Sequence, residues 1–165
     1  MARTKWGFLP AQMLNGCAPV VKFYPLASGT YYEGSVLRVS GTSGSGKLAA
    51  AGGTTMLGIS KSYVTTANST SGVYPIQMFT GDEIFEAKML ATSVPQQKVG
   101  DVVDLAVGST HNFRVSATAV GATGVATAPF VIYGYHADEA ATTHTGVRYY
   151  VKPNNFVFSG GRRVS

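Results

Sequence analysis

The sequence predicts an all-β protein: a single compact β-barrel or β-sandwich of β-tulip-like form, preceded by an extended N-terminal arm and followed by a C-terminal tail. Three observations carry that prediction. Short runs of β-branched and aromatic residues recur at intervals of about 8–12 residues with turn residues between them. Several runs alternate apolar and polar side chains with period two, and no stretch has the apolar spacing of an amphipathic helix. Twenty glycines in 165 residues supply the tight turns that such a fold needs. A chain of this length can hold one domain with a substantial core.

Residues 1–19 read as the arm, in which basic and aromatic side chains (Arg3, Lys5, Trp6, Phe8) are followed by the breakers Pro10, Gly16 and Pro19. The domain proper spans residues 20–152. Its candidate strands begin with VVKFY (20–24), YYEGSVLRVS (31–40), TTMLGIS (54–60) and VYPIQMF (73–79). They continue with EIFEAKML (83–90), VVDLAV (102–107), HNFRVSATAV (111–120), PFVIYGY (129–135) and VRYYVK (147–152). Within EIFEAKML, Ile84, Glu86 and Lys88 share one face and Phe85, Ala87 and Met89 the other. Phe113, Val115 and Ala117 likewise oppose Asn112, Arg114 and Ser116. Thr80-Gly81-Asp82 sits where a hairpin turn belongs, Val99-Gly100-Asp101 introduces VVDLAV, and Gly108-Ser109-Thr110 leads into the following run. Residues 153–165 read as the tail, with Phe156 and Phe158 in alternation before two glycines and the pair Arg162, Arg163.

Charged residues make up only 13% of the chain, against about 25% in typical domains. So little charge suits a subunit of an assembly, part of whose surface other chains cover. The net charge of +5 sits mostly at the ends. Arg3, Lys5, Arg162 and Arg163 account for four of the thirteen basic residues, which leaves nine against eight acidic ones between residues 6 and 161. A nearly neutral body lacks the basic face of a nucleic-acid binder. No run of about 18 apolar residues points to a membrane span, and Pro10 and Gln12 interrupt any signal-peptide core. The expectation is a product made in the cytoplasm. The single cysteine, Cys17, excludes an internal disulfide and is expected to pack as a small apolar residue.

GTSGSGKL (41–48) fits the G-x-x-x-x-G-K spacing of a phosphate-binding loop and follows a candidate strand. Such a loop needs a hydroxyl after the lysine to ligand Mg²⁺ and a helix whose N-terminus faces the phosphates. Leu48 stands at the hydroxyl position, and LAAA runs straight into Gly52 and Gly53. A Gly/Ser loop joining two strands is the better reading.

No other motif anchors catalysis. His111, His136 and His144 form no HExxH motif, and no serine sits in a G-x-S-x-G elbow. Asp101 and Asp104 point to opposite faces of a strand, and Asp101 is better placed as a turn residue. Asp82, Glu83 and Glu86 fit a solvated sheet edge, where charge blocks unwanted pairing. In Tyr31-Tyr32 and Tyr149-Tyr150, one ring of each pair is expected inside and one outside. Trp6 lies outside the predicted domain, and tryptophan is enriched at interface hot spots. The sequence therefore gives no catalytic residue, metal ligand or cofactor site.

The order YPLASGTYYEGSVLRVS…GKLAAAGGTTMLGIS, FTGDEIFEAKM and VGDVVDLAV…HNFRVSATAVGATGV, over about residues 24–135, resembles the head-decoration (capsid cement) proteins of tailed bacteriophages. The resemblance implies a non-enzymatic virion protein on the outer surface of the head. Its partners would be the major capsid protein and copies of itself, commonly as a trimer, with no nucleic acid or membrane involved. In compact members of the group an N-terminal arm becomes ordered on the shell. By that analogy Arg3, Lys5, Trp6 and Phe8, together with Phe156, Phe158, Arg162 and Arg163, would contact capsid or neighbouring subunits. This chain is longer than those members and carries the additional loop at 41–47. A different class of reading is a glycan- or host-binding β-sandwich; a minor capsid or tail-tube subunit is a close cousin of the decoration protein.

The loop reading makes one direct prediction. Calorimetric titration with Mg·ATP gives no saturable heat; micromolar binding abolished by Lys47→Ala would overturn the loop assignment.

Overall fold

The structure is a computed structural model, and it describes residues 7–41, 43–51, 56–66, 72–89, 99–108, 112–116, 128–135 and 148–157. These residues contain strands and no helix. In chain order the strands are β1 (Leu9–Met13), β2 (Val21–Pro25), β3 (Gly29–Tyr31), β4 (Val36–Val39), β5 (Gly46–Leu48), β6 (Gly58–Ser60) and β7 (Val64–Thr66). They continue with β8 (Val73–Met78), β9 (Glu83–Lys88), β10 (Val102–Gly108), β11 (Asn112–Ser116), β12 (Phe130–Tyr135) and β13 (Arg148–Pro153).

Sheet A has the order β1-β9-β13-β12-β10-β11, sheet B the order β2-β8-β6-β4-β5, and β3 pairs with β7 as a small sheet C. Among the described residues neither large sheet closes on itself, so the fold is sandwich-like and not a closed barrel.

Alternation along the strands builds two cores. From sheet A, Phe85, Ala87, Val103, Leu105, Phe113, Val115, Phe130, Ile132, Tyr149 and Val151 face inward and meet Val36, Ile59 and Phe79 from the sheet B side. At the centre, Phe8 packs on Phe130 with ring centroids 4.8 Å apart, and Phe79 lies 5.3 Å from Phe85. The opposite face of sheet B sends Leu37, Ile76 and Met78 into a second core with Leu57, Leu26, Val157, and Tyr31 and Val64 of sheet C. The middle of sheet B is thus packed on both faces. That explains why VYPIQMF and TTMLGIS read as nearly continuous apolar runs and not as clean alternations.

Three expectations are corrected. Residues 7–13 are not part of a detached arm: β1 pairs antiparallel with β9, from Leu9 opposite Glu86 to Met13 opposite Glu83. Phe8 donates its N–H to the Gly34 carbonyl (3.0 Å), and Gly34 donates to Ser60 (2.9 Å). Gly34 has φ of +84°, and a Cβ there would fall 2.7 Å from the Phe8 carbonyl oxygen, so only glycine lets the two segments meet. Second, Thr80-Gly81-Asp82 is not a hairpin turn, because β8 belongs to sheet B and β9 to sheet A; it is the corner where the chain changes sheets. Third, Cys17 is exposed, beside an Asn15 side chain that accepts its N–H.

The tail also starts later than expected. Pro153 ends β13, Phe156 bridges to Met56, and Val157 donates its N–H to the Met56 carbonyl.

Tyr31 generates a pH prediction. Its ring is fully buried, its hydroxyl donates to the Ala27 carbonyl (2.7 Å), and burial pushes its pKa above the ordinary 10.0. The folded state therefore favours the neutral phenol. The resulting stability is complete below pH 10 and is lost as pH rises towards the folded-state pKa. Tyr31→Phe should cost about 1 kcal/mol at neutral pH through the lost hydrogen bond and should lose less stability than the parent above pH 10. Parallel losses in urea titrations at high pH would contradict the assignment.

Candidate functional site

Of the residues expected to bind partners, the structure describes two. Phe8 is fully buried in the first core and Phe156 nearly so, so both serve the fold and neither faces a neighbour. Phe156 also lies under the Gly81 corner, where a Cβ would come within 3.0 Å of its ring. Arg3, Lys5, Trp6, Phe158, Arg162 and Arg163 lie outside the described residues, as do His111, His136 and His144.

The acidic cluster does not sit at a sheet edge. β9 runs between β1 and β13, and Glu83 is completely buried at its start. Its carboxylate accepts the Thr80 N–H (3.0 Å to each oxygen), the Thr80 hydroxyl (2.6 Å) and the Gly81 N–H (3.0 Å). A carboxylate can take several donors at once, so Glu83 satisfies the backbone of the inter-sheet corner with charge-assisted bonds. Glu86, on the outer face, accepts from Arg148 at 3.3 Å, and Asp82 accepts from Asn15 at 3.1 Å. Each of these three acids thus has a structural partner.

Asp101 precedes β10, and its carbonyl accepts the Ile132 N–H, which agrees with a turn role; Asp104 is buried within β10. Among the described residues no three His, Cys, Asp or Glu side chains converge as a metal site.

The described residues of the GTSGSGK segment, all but Thr42, lie between and within two paired strands. β4 and β5 pair directly, Ser40 donates its N–H to Ser45, Gly44 donates to Ser40 with φ of +66°, and the Tyr24 hydroxyl ties down the Gly44 carbonyl (2.8 Å). Lys47 lies in a strand opposite Arg38. Among the described residues no helix follows β5, so they form no strand-loop-helix cradle for phosphates.

Among the described residues, three surfaces are candidates for recognition. The first is the β2 margin of sheet B, where Phe23 is 70% exposed, Val21 45% and the neighbouring Val73 58%. Val21 pairs with Gln77 and Phe23 with Pro75, so Val21 and Phe23 extend the sheet face that Ile59 uses to enter the first core. Beyond the margin of sheet A that face is uncovered among the described residues. The second is a groove of about 140 Å³ lined by Pro10, Ala11, Gln12, Met13, Pro19 and Gln77; Gln77 is buried there, and its Oε1 has no hydrogen-bond partner. The third is a hollow of about 180 Å³ on the outer face of sheet A, bounded by Ala11, Gln12, Ile84, Tyr133 and Tyr150. Tyr133 is 47% exposed. As expected, Tyr31 and Tyr149 are buried while Tyr32 and Tyr150 reach the surface.

Sequence reasoning passed over Val21 and Phe23, although VKFYP places Val21, Phe23 and Pro25 on one face. Period two shows that such a face exists, but only sheet order shows that nothing lies over it.

Comparison with protein families, curated proteins and solved structures found no match for this chain.

The corner makes a stability prediction. Glu83→Ala strands two N–H groups and should cost on the order of 3 kcal/mol in urea unfolding, with Glu83→Gln costing less because one acceptor remains. A loss below about 0.5 kcal/mol, the level of an ordinary surface substitution, would contradict the capping role.

Proposed function

We propose that this chain is a structural virion protein: a decoration, or cement, protein that binds the outer surface of a tailed-phage head and reinforces the lattice of its major capsid protein. The proposed partners are major capsid protein and further copies of the chain, with a trimer as the expected assembly. No catalytic step is assigned. The order of sequence motifs motivates the reading, and the observation that carries it is the uncovered β2 margin. Phe23, Val21 and Val73 extend a face whose continuation forms the core, and an exposed apolar edge is ordinarily covered or blunted. A subunit that meets another chain there has a reason to keep it. Low charge across the body fits the same use.

The residues proposed to contact capsid or neighbouring subunits are fewer than the sequence implied: Arg3, Lys5 and Trp6 before Gly7, and Phe158, Arg162 and Arg163 after Val157. Phe8 and Phe156 are committed to the core.

A second reading, a glycan- or host-binding module, draws support from the Tyr133–Tyr150 hollow, since sugars stack on exposed aromatic rings beside polar groups such as Gln12. Its small volume favours the first reading.

The test is co-sedimentation with expanded, undecorated heads at several salt concentrations. The full chain should bind, and removal of residues 2–6 should leave a folded protein that binds much more weakly. Trp6→Ala should cost about 2 kcal/mol or more, as a central anchor does. Arg3→Ala and Arg163→Ala should cost less and mainly alter the salt dependence. Failure of the full chain to bind any head would overturn the proposal, whereas full binding by the trimmed chain would move the contact to the sandwich itself.

A further inference from the structure

The β4–β5 strand pair holds two cations side by side. Arg38 and Lys47 are direct cross-strand partners, and both side chains are half-buried. Such partners project to the same face with their Cβ atoms about 5 Å apart, and like charges placed there repel. Sheets ordinarily relieve this with an acid in the next row. Here neither side chain has a hydrogen bond or ion pair among the described residues, and Glu83, Glu86 and Asp82 are committed elsewhere. The Arg38 Nε is also buried without an acceptor, which fixes part of the guanidinium away from water and strengthens its field.

The surrounding described backbone is tied by hydrogen bonds. The Ser40–Ser45 and Gly44–Ser40 bonds link the strand ends, the Tyr24 hydroxyl holds Gly44 from the side, and Ala27 donates to the Gly46 carbonyl at 2.7 Å. A preorganised pair of unpaired cations is destabilising on its own and becomes favourable once an oxyanion sits between them. Arginine offers a planar fork that matches a carboxylate, and lysine offers a point charge beside it.

We propose that Arg38 and Lys47 form a carboxylate-recognition site, which takes an Asp or Glu side chain from an acidic segment of another protein. A protein acid fits better than a polyphosphate chain or nucleic acid, because nine basic against eight acidic residues between 6 and 161 leave the body little net positive charge to follow a phosphate backbone. The site is independent of the virion reading: any acidic protein segment satisfies it.

The test has two arms. In the first, hexaglutamate and inorganic phosphate are titrated separately into the full chain by calorimetry, at a constant ionic strength of about 0.1 M made up with chloride. Hexaglutamate should bind saturably. Arg38→Gln and Lys47→Gln should each weaken it about tenfold or more, the loss expected for one charge-assisted contact. Lys22→Gln, on exposed β2, should leave it unchanged. Phosphate binding tighter than hexaglutamate overturns the carboxylate assignment, and equal losses in all three variants reduce the effect to general charge attraction. In the second arm, thermal unfolding in chloride alone should show Lys47→Gln at least as stable as the parent, because repulsion is relieved. A clear drop in its melting temperature means that Lys47 already has an internal partner, and the site is then refuted.

Discussion

Sheet B has to serve two cores at once, and the rest of the molecule is arranged around that constraint. β4 sends Val36 to one side and Leu37 to the other, and neighbouring Leu57 and Ile59 divide in the same way. Where a strand is buried on both faces, as at Val36–Leu37 and Leu57–Ile59, no solvent side remains for polar residues, so errors there are costly. Replacing a large core side chain with alanine in such a place typically removes about 2–5 kcal/mol. The middle of the sheet is also sterically tight. A Cβ on Gly58 would collide with the Gln77 carbonyl oxygen of β8, so the two strands approach as closely as they do because residue 58 has no side chain.

From that layer the positions of the other parts follow. Sheet A lies over one face and covers the middle of sheet B; among the described residues it does not reach over Val21 and Phe23 of β2, which are exposed. Sheet C and the segment at Val157 close the other face. The chain passes between the two large sheets at Phe79–Glu83, where a buried carboxylate replaces the backbone pairing that a hairpin would have supplied. Phe8 and Phe156 enter the first core from opposite ends of the chain.

Apart from β1, the strands of sheet A were legible in the sequence, because one face is buried and the other is wet. Ile84, Glu86 and Lys88 against Phe85 and Ala87 is the pattern that such a sheet imposes. β4 and β8 were legible as strands within YYEGSVLRVS and VYPIQMF, though not the burial of both faces at Val36–Leu37 and Ile76–Met78. The misreadings have physical causes. Phe8 follows two basic residues and a tryptophan and precedes a proline, a local context in which one aromatic gives no sign of a distant partner such as Gly34. A Thr-Gly-Asp between two strands looks the same whether the strands pair or diverge into different sheets. Glu83 resembles any acid at a strand start, and only the three donors converging on it distinguish a buried cap from a solvated edge. β1, β3, β5 and β7 are too short, or too rich in Gly, Pro and Ser, to declare themselves by alternation.

On the proposed reading, the protein is a shaped block whose exposed β2 margin and terminal segments meet other chains on the head. Electron cryo-microscopy of particles with and without this protein tests that claim most directly. The account predicts extra density on the outer surface of the head, at contacts between major capsid subunits, with Phe23 and Val21 buried against a neighbouring chain. Heads that look identical with and without the protein, or density found only at the tail tip with the β2 margin facing solvent, would contradict it.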